Sequence, residues 1–321
     1  MERTKITSKD HEIKYNLFSS DEIKMERQIQ KCPVITSSEY DKCYFLVHKA
    51  YSHFFGDINN ISEKPKFWPE NFFKILGSLN LINLYNSPYP NNLIGQFKQF
   101  LDIKDNNTFV EKSIREYTKE SNFCYLFNRV MRNFESGLIS FAYYMGPFLF
   151  GVNKYVKENP SFALSESMIL YRNMKCSKID FYLYKIKLGH IICFPSLTST
   201  TSKEINFSAT SLSQKVCNNK AEEIIKIKMI FRYKHENGNI SPGIIVENKK
   251  GHDGNFLSCC PGENEVILFP FTFARIKQIK QDAIGGENIN IIELEIINRT
   301  SYIEYTLKNK VEERFKFSKL D

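Results

Sequence analysis

Between Ser258 and Ile276 the chain reads SCCPGENEVILFPFTFARI, with two carboxylates one residue apart. Pro261 and Gly262 make a turn, Glu263, Asn264 and Glu265 follow, and Val266 to Phe269 is apolar enough for a buried strand. Side chains alternate along an extended segment, which puts Glu263 and Glu265 on one face at the mouth of that strand. Repulsion and desolvation make such a pair costly unless a cation, or positive charge developing in a reaction, comes to lie between them. Taken alone, an E-x-E also reads as a solvated strand end with two incidental glutamates. The other polar groups of the chain decide between the two.

Arg172 ends an apolar strand in Leu170-Tyr171-Arg172-Asn173. An arginine there either reaches solvent or offers a planar donor fork to a phosphate. Phe194 to Ser202 reads FPSLTSTTS, with five hydroxyl residues from Thr198 to Ser202. Hydroxyl clusters commonly serve turns and caps. On a short strand they also aim one row of hydroxyls into a pocket, where a hydroxyl orients a carboxylate without adding charge.

The elements that must carry these groups fall into two runs. Helical spacing marks Tyr40 to Phe54 behind Ser37-Ser38, a stretch opening at Asn107-Thr108 with Val110, Ile114 and Tyr117, and Leu138 to Lys157 with a break at Gly146-Pro147. After Pro160 the pattern predicts strands at 168–173, 187–194, 223–233, 243–247, 265–269, 272–276 and 291–296, separated by turn pairs such as Asn237-Gly238 and Asp253-Gly254. In the third of these, Ile225, Ile227, Met229 and Phe231 alternate with Lys226 and Lys228, predicting one buried and one wet face. Helices first and strands later argue for an α+β fold. Neither G-x-G-x-x-G nor G-x-x-x-x-G-K-[ST] is present, so neither a Rossmann turn nor a P-loop carries the function.

Composition sets the outer limits. The chain has 321 residues, 42% hydrophobic and 14% aromatic, which describes a globular protein with a sizeable core. A net charge of +8 without a dense basic block gives no indication of nucleic-acid binding. The eight cysteines have no C-x-x-C or Cys/His zinc spacing, so no metal site is expected. Their scatter suits reduced thiols, and the polar first 25 residues and the lack of a long apolar run lead to the expectation of an intracellular, cytoplasmic chain without a transmembrane segment.

In combination, the strand with arginine, the strand with hydroxyls and the strand with E-x-E resemble the arginine-serine-glutamate class of mono-ADP-ribosyltransferases, the group with the cholera-toxin-like and vertebrate arginine-specific enzymes. The family's tyrosine-threonine step looks like Tyr117-Thr118, and its tyrosine-arginine strand end looks like Tyr171-Arg172. Its hydroxyl run is similar to Phe194 through Thr201, and its Ser-x-x-Pro-x-Glu-x-Glu pattern is similar to Ser258 through Leu268, followed by the strand Thr272 to Ile276. The resemblance implies an ADP-ribosyltransferase domain over 105–300, after an unassigned, mostly helical or irregular region 1–104 and before a C-terminal strand and charged tail 301–321.

It also implies NAD, as substrate, in a cleft between two small, steeply crossed sheets. Arg172 would hold the cofactor's phosphate and ribose, with Tyr171, Ser199, Thr200 and Phe207 completing the cofactor site and Phe207 walling the nicotinamide. Ser199 would hold the catalytic Glu265, and Glu263 would face a protein acceptor with an exposed arginine. The expected activity is NAD–protein-arginine mono-ADP-ribosyl transfer. Its alternatives are an NAD glycohydrolase on the same fold and an inactive nucleotide-binding protein. Asn173 stands where the family often has glycine, Thr201 adds a methyl to the hydroxyl run, and Cys259-Cys260 stand where an aromatic commonly recognises the acceptor.

Overall fold

The computed structural model describes residues 99–100, 103, 105–119, 124, 128, 148, 151–204, 224–235, 241–284 and 287–297. The helix expected over 40–54, the break at Gly146-Pro147, Phe207 and the segment 301–321 lie outside the described residues.

Helix α1 (Asn106–Thr118) starts where Asp105 caps it, the Thr108 N–H donating to Asp105 Oδ1 at 2.8 Å. It buries Val110, Ile114 and Tyr117, the spacing read from the sequence, and Phe109 beside them. Residues 151–158 are also helical. The strands are β1 (Ser167–Ser177), β2 (Ile191–Phe194), β3 (Thr198–Thr201), β4 (Ile224–Lys234), β5 (Gly243–Ile245), β6 (Glu265–Leu268), β7 (Thr272–Ile284) and β8 (Glu287–Ile297).

Helix α2 (Lys178–Ile186) sits between β1 and β2, where the sequence reading has no helix. Its signal is local: Ser177 accepts from the Asp180 N–H at 3.0 Å and donates back to Asp180 Oδ2 at 2.8 Å, and Phe181 and Tyr184 follow at helical spacing. This helix uses up residues through Ile186, and Lys187 to His190 turn out of it. The strand expected over 187–194 therefore begins only at Ile191.

The strands form one sheet in the order β2-β7-β8-β4-β1-β3-β6-β5. Most pairs are antiparallel, while β4 and β8 run parallel. Ladders are long in one part: β1 pairs with β4 from Ser167↔Lys234 to Ser177↔Ile224, and β7 with β8 from Phe273↔Ile297 to Ile284↔Glu287. By contrast, β1 meets β3 at a single register pair, Tyr171↔Thr201. Where two crossed sheets were expected, the strands pair as one continuous sheet narrowed to that seam.

One face of the sheet carries the core, including Leu170, Met174, Met229, Phe231, Leu268 and Leu294, with Phe181 and Tyr184 of α2 packed among them. Lys228 departs from the wet-face expectation and is 2% exposed. An ion pair with Glu204 and the ring of Tyr171, 5.7 Å from its ammonium, take the place of water.

Candidate active site

Alternation along β3 and β6 sorts their side chains. Thr198 and Thr200 stand in register with Leu268 and Val266 on the core face, while Ser199 and Thr201 stand with Ile267 and Glu265 on the other. Glu265 is 6% exposed, yet both its oxygens are engaged. The Ser199 hydroxyl donates to Oε1 at 2.8 Å and the Ser258 hydroxyl to Oε2 at 2.9 Å. Burial pushes the Glu265 carboxyl above its ordinary range, and Glu263 adds to this, while the two serine bonds and the Arg172 charge pull it down. The result is a desolvated carboxylate held in one orientation.

Arg172 stands in register with Met229, and its Nη1 donates to the Ser199 carbonyl across the seam. The arginine of β1 thus reaches the backbone of β3 at Ser199, the residue whose hydroxyl holds Glu265 of β6. Tyr171 pairs with Thr201 and so belongs to the same face of the sheet as Ser199 and Glu265. Thr200 does not join them. Its hydroxyl donates to the Val266 carbonyl at 2.7 Å on the core face, where it ties β3 to β6.

Glu263 is exposed on the turn before β6, its N–H donating to the Cys260 carbonyl at 3.1 Å and its own carbonyl accepting from Thr201 Oγ1 at 3.1 Å. Asn264 between the glutamates has a φ of 50°, in the left-handed region that asparagine tolerates better than most residues. The extended alternation expected to put Glu263 and Glu265 on one face is therefore broken between them. Their relation is set by the turn.

Helix α1 braces this turn and β3 together. The Tyr117 hydroxyl donates to the Leu197 carbonyl at 3.0 Å, just before β3, and Thr118 Oγ1 accepts from the Cys259 N–H at 3.0 Å. One turn earlier, Arg115 forks onto Asp253 at 3.0 and 3.1 Å and donates from Nε to the Phe256 carbonyl at 2.9 Å. Glu111, 2% exposed, accepts from Tyr155 OH at 2.8 Å, from the His252 N–H at 3.0 Å, and meets His252 Nδ1 at 2.5 Å. That contact raises the His252 imidazole above its usual value.

No protein-family model matches the chain, and no curated protein sequence matches it. Among solved structures it is similar to Plx2a, an ADP-ribosyltransferase toxin from Paenibacillus larvae, at 18% identity and a TM-score of 0.39, over 59% of this chain and 86% of that one. It is similar to the type III effector XopAI from Xanthomonas axonopodis pv. citri at 12% identity and a TM-score of 0.45, over 87% of this chain and 100% of that one. It is also similar to Vis toxin, an ADP-ribosyltransferase from Vibrio splendidus, at 14% identity and a TM-score of 0.35, over 77% of this chain and 92% of that one. Likenesses of this size decide neither fold nor activity.

Two residues of the site had no role in the sequence reading. Ser258 was visible as the first letter of the Ser-x-x-Pro-x-Glu-x-Glu pattern, but nothing in its type told that it would cover the second oxygen of Glu265. Glu111 carried no signal, because an acidic residue inside a helix reads as solvated until its partners, 44 and 141 positions away, are known.

Proposed function

We propose that the chain transfers ADP-ribose from NAD to a protein side chain, arginine foremost, and releases nicotinamide. The observation that carries this reading is Glu265, a buried carboxylate with one serine hydroxyl on each oxygen and the charge of an arginine from a separate strand acting on it. As the bond between nicotinamide and ribose breaks, positive charge develops on the sugar. A pre-oriented carboxylate stabilises charge that exists only in the transition state. Arg172 supplies a donor fork for the phosphate, and Tyr171 borders the cofactor site. Glu263, on the exposed turn, grips the acceptor guanidinium and drains its proton, since that group is otherwise always charged. No residue is assigned to a metal.

Paired substitutions test the division of labour. Glu265→Gln is expected to lower nicotinamide release by about 100- to 1000-fold. It is expected to leave the fold no less stable at neutral pH. A raised carboxyl contributes stability only in its neutral form, present below the ordinary glutamate range and lost as pH rises through the raised value. Glu263→Gln is expected to lose transfer to arginine while still splitting NAD slowly. Near wild-type nicotinamide release by Glu265→Gln would sink the reading, and NAD cleavage by the unaltered chain without any labelled acceptor would make it a glycohydrolase.

A further inference from the structure

Among the described cysteines, Cys176 and Cys193 are buried, while Cys259 and Cys260 are adjacent and exposed. Burial pushes the Cys176 thiol up to about 12, which keeps it inert at neutral pH. The exposed pair lies on the loop whose backbone holds both glutamates. The Cys260 N–H donates at 3.1 Å to the Ser258 hydroxyl, which in turn donates to Glu265, and the Cys260 carbonyl accepts from the Glu263 N–H at 3.1 Å. The Cys259 N–H is tied to Thr118, and its sulfur reaches the Arg115 carbonyl at 3.4 Å. Backbone groups brace the loop, and two thiols stand exposed directly before the turn that carries Glu263.

We propose that Cys259-Cys260 is a thiol-modification site for a small disulfide of the glutathione type, and that its occupation shuts out a protein acceptor; this rests on the transferase reading above. A thiolate of the pair attacks one sulfur of glutathione disulfide. A protein–glutathione S–S bond forms, the glutathione S–S bond breaks, and the second glutathione leaves as a thiolate that takes up a proton in place of the one the cysteine lost. The cysteine is oxidised and the departing glutathione reduced. Ring closure between the two cysteines, with loss of the bound glutathione, is opposed by geometry. Consecutive Cα atoms across a trans peptide lie about 3.8 Å apart, whereas disulfides span roughly 4.4–6.8 Å. The mixed disulfide is therefore the product that persists. A tripeptide there adds its bulk next to the turn that carries the exposed Glu263, whereas Glu265 is buried behind the Ser199 and Ser258 hydroxyls.

The full chain, reduced and then incubated with glutathione disulfide, is mapped by mass spectrometry and assayed three ways. The expected result is one glutathione on the Cys259-Cys260 peptide and loss of transfer to an arginine-rich protein, with nicotinamide release and transfer to agmatine retained. The double variant Cys259→Ser/Cys260→Ser should show the same activities with and without glutathione disulfide. No adduct on this peptide, an adduct with protein transfer intact, or persisting sensitivity of the double variant each overturns the proposal. A reduced chain that releases no nicotinamide speaks instead against the transferase reading, and then the glutathione adduct, mapped separately, has no acceptor step to gate and this proposal falls with that reading.

Discussion

The long-laddered part of the sheet, β7-β8-β4-β1 with the short β2 on its edge, and the short part, β3-β6-β5, are held by different means. The first buries apolar rows along strands of up to 13 residues, such as β7. The second has strands of three or four residues and leans on hydrogen bonds from α1 and from the loop before β6. The residues of the proposed site gather in the short part: Ser199, Ser258, Glu263 and Glu265 all belong to it, and Arg172 reaches in from the long-laddered part across the seam. A long ladder fixes its side chains by pairing alone. A short one lets a turn and two loops converge on a single carboxylate, at the cost of needing outside support.

That contrast can be broken by substitution. Ile292→Ala, at a fully buried position between β4 and β7, is expected to cost about 2–5 kcal/mol by chemical denaturation while nicotinamide release per folded molecule stays unchanged. Ser258→Ala comes next, since a hydrogen bond to a charged group is worth roughly 1.5–3 kcal/mol. Without that donor the Glu265 carboxyl is pushed further up, so the acid limb of the pH–rate profile for nicotinamide release moves to higher pH. A limb that stays in place would show that Glu265 does not govern it.

Tyr117→Phe removes one hydroxyl from the Leu197 carbonyl and is expected to cost only about 1 kcal/mol in stability. It should nevertheless slow nicotinamide release at temperatures where the chain remains folded, which Ile292→Ala should not. Equal effects of the two on the rate would erase the distinction between the parts. The smallest effect is expected for Arg115→Ala, whose partly exposed ion pair with Asp253 is worth about 0–1 kcal/mol. Hydrogen exchange should speed up over 250–258 and not in β7 or β8.

Much of this was legible where period and burial agree. The rows of β4 follow Ile225, Ile227, Met229 and Phe231, and the hydroxyl run predicted a carboxylate partner that Ser199 provides. What escaped was non-local or local in the wrong register. Strand β7 runs on to Ile284 because β8 pairs with it, eight residues past the Ile276 at which the sequence pattern ended it. Thr200 looked as able as Ser199 to reach the pocket, and only its register with Val266 assigns it to the core face. The left-handed Asn264 gave no warning in an otherwise strand-like E-N-E.

The order of strands carries a consequence for any attempt to divide the chain. Among the described residues, the first strand, β1, lies inside the sheet between β4 and β3, and the last, β8, lies inside it between β7 and β4. Early and late stretches are thus laced through each other. A chain halted on the ribosome before Glu287 would already hold Arg172, Ser199 and Glu265 but would leave β4 and β7 with bare edges. If the proposed transferase reading holds, activity is therefore expected only once β8 is in place, and a premature stop or a cut within β8 is expected to leave no smaller active unit.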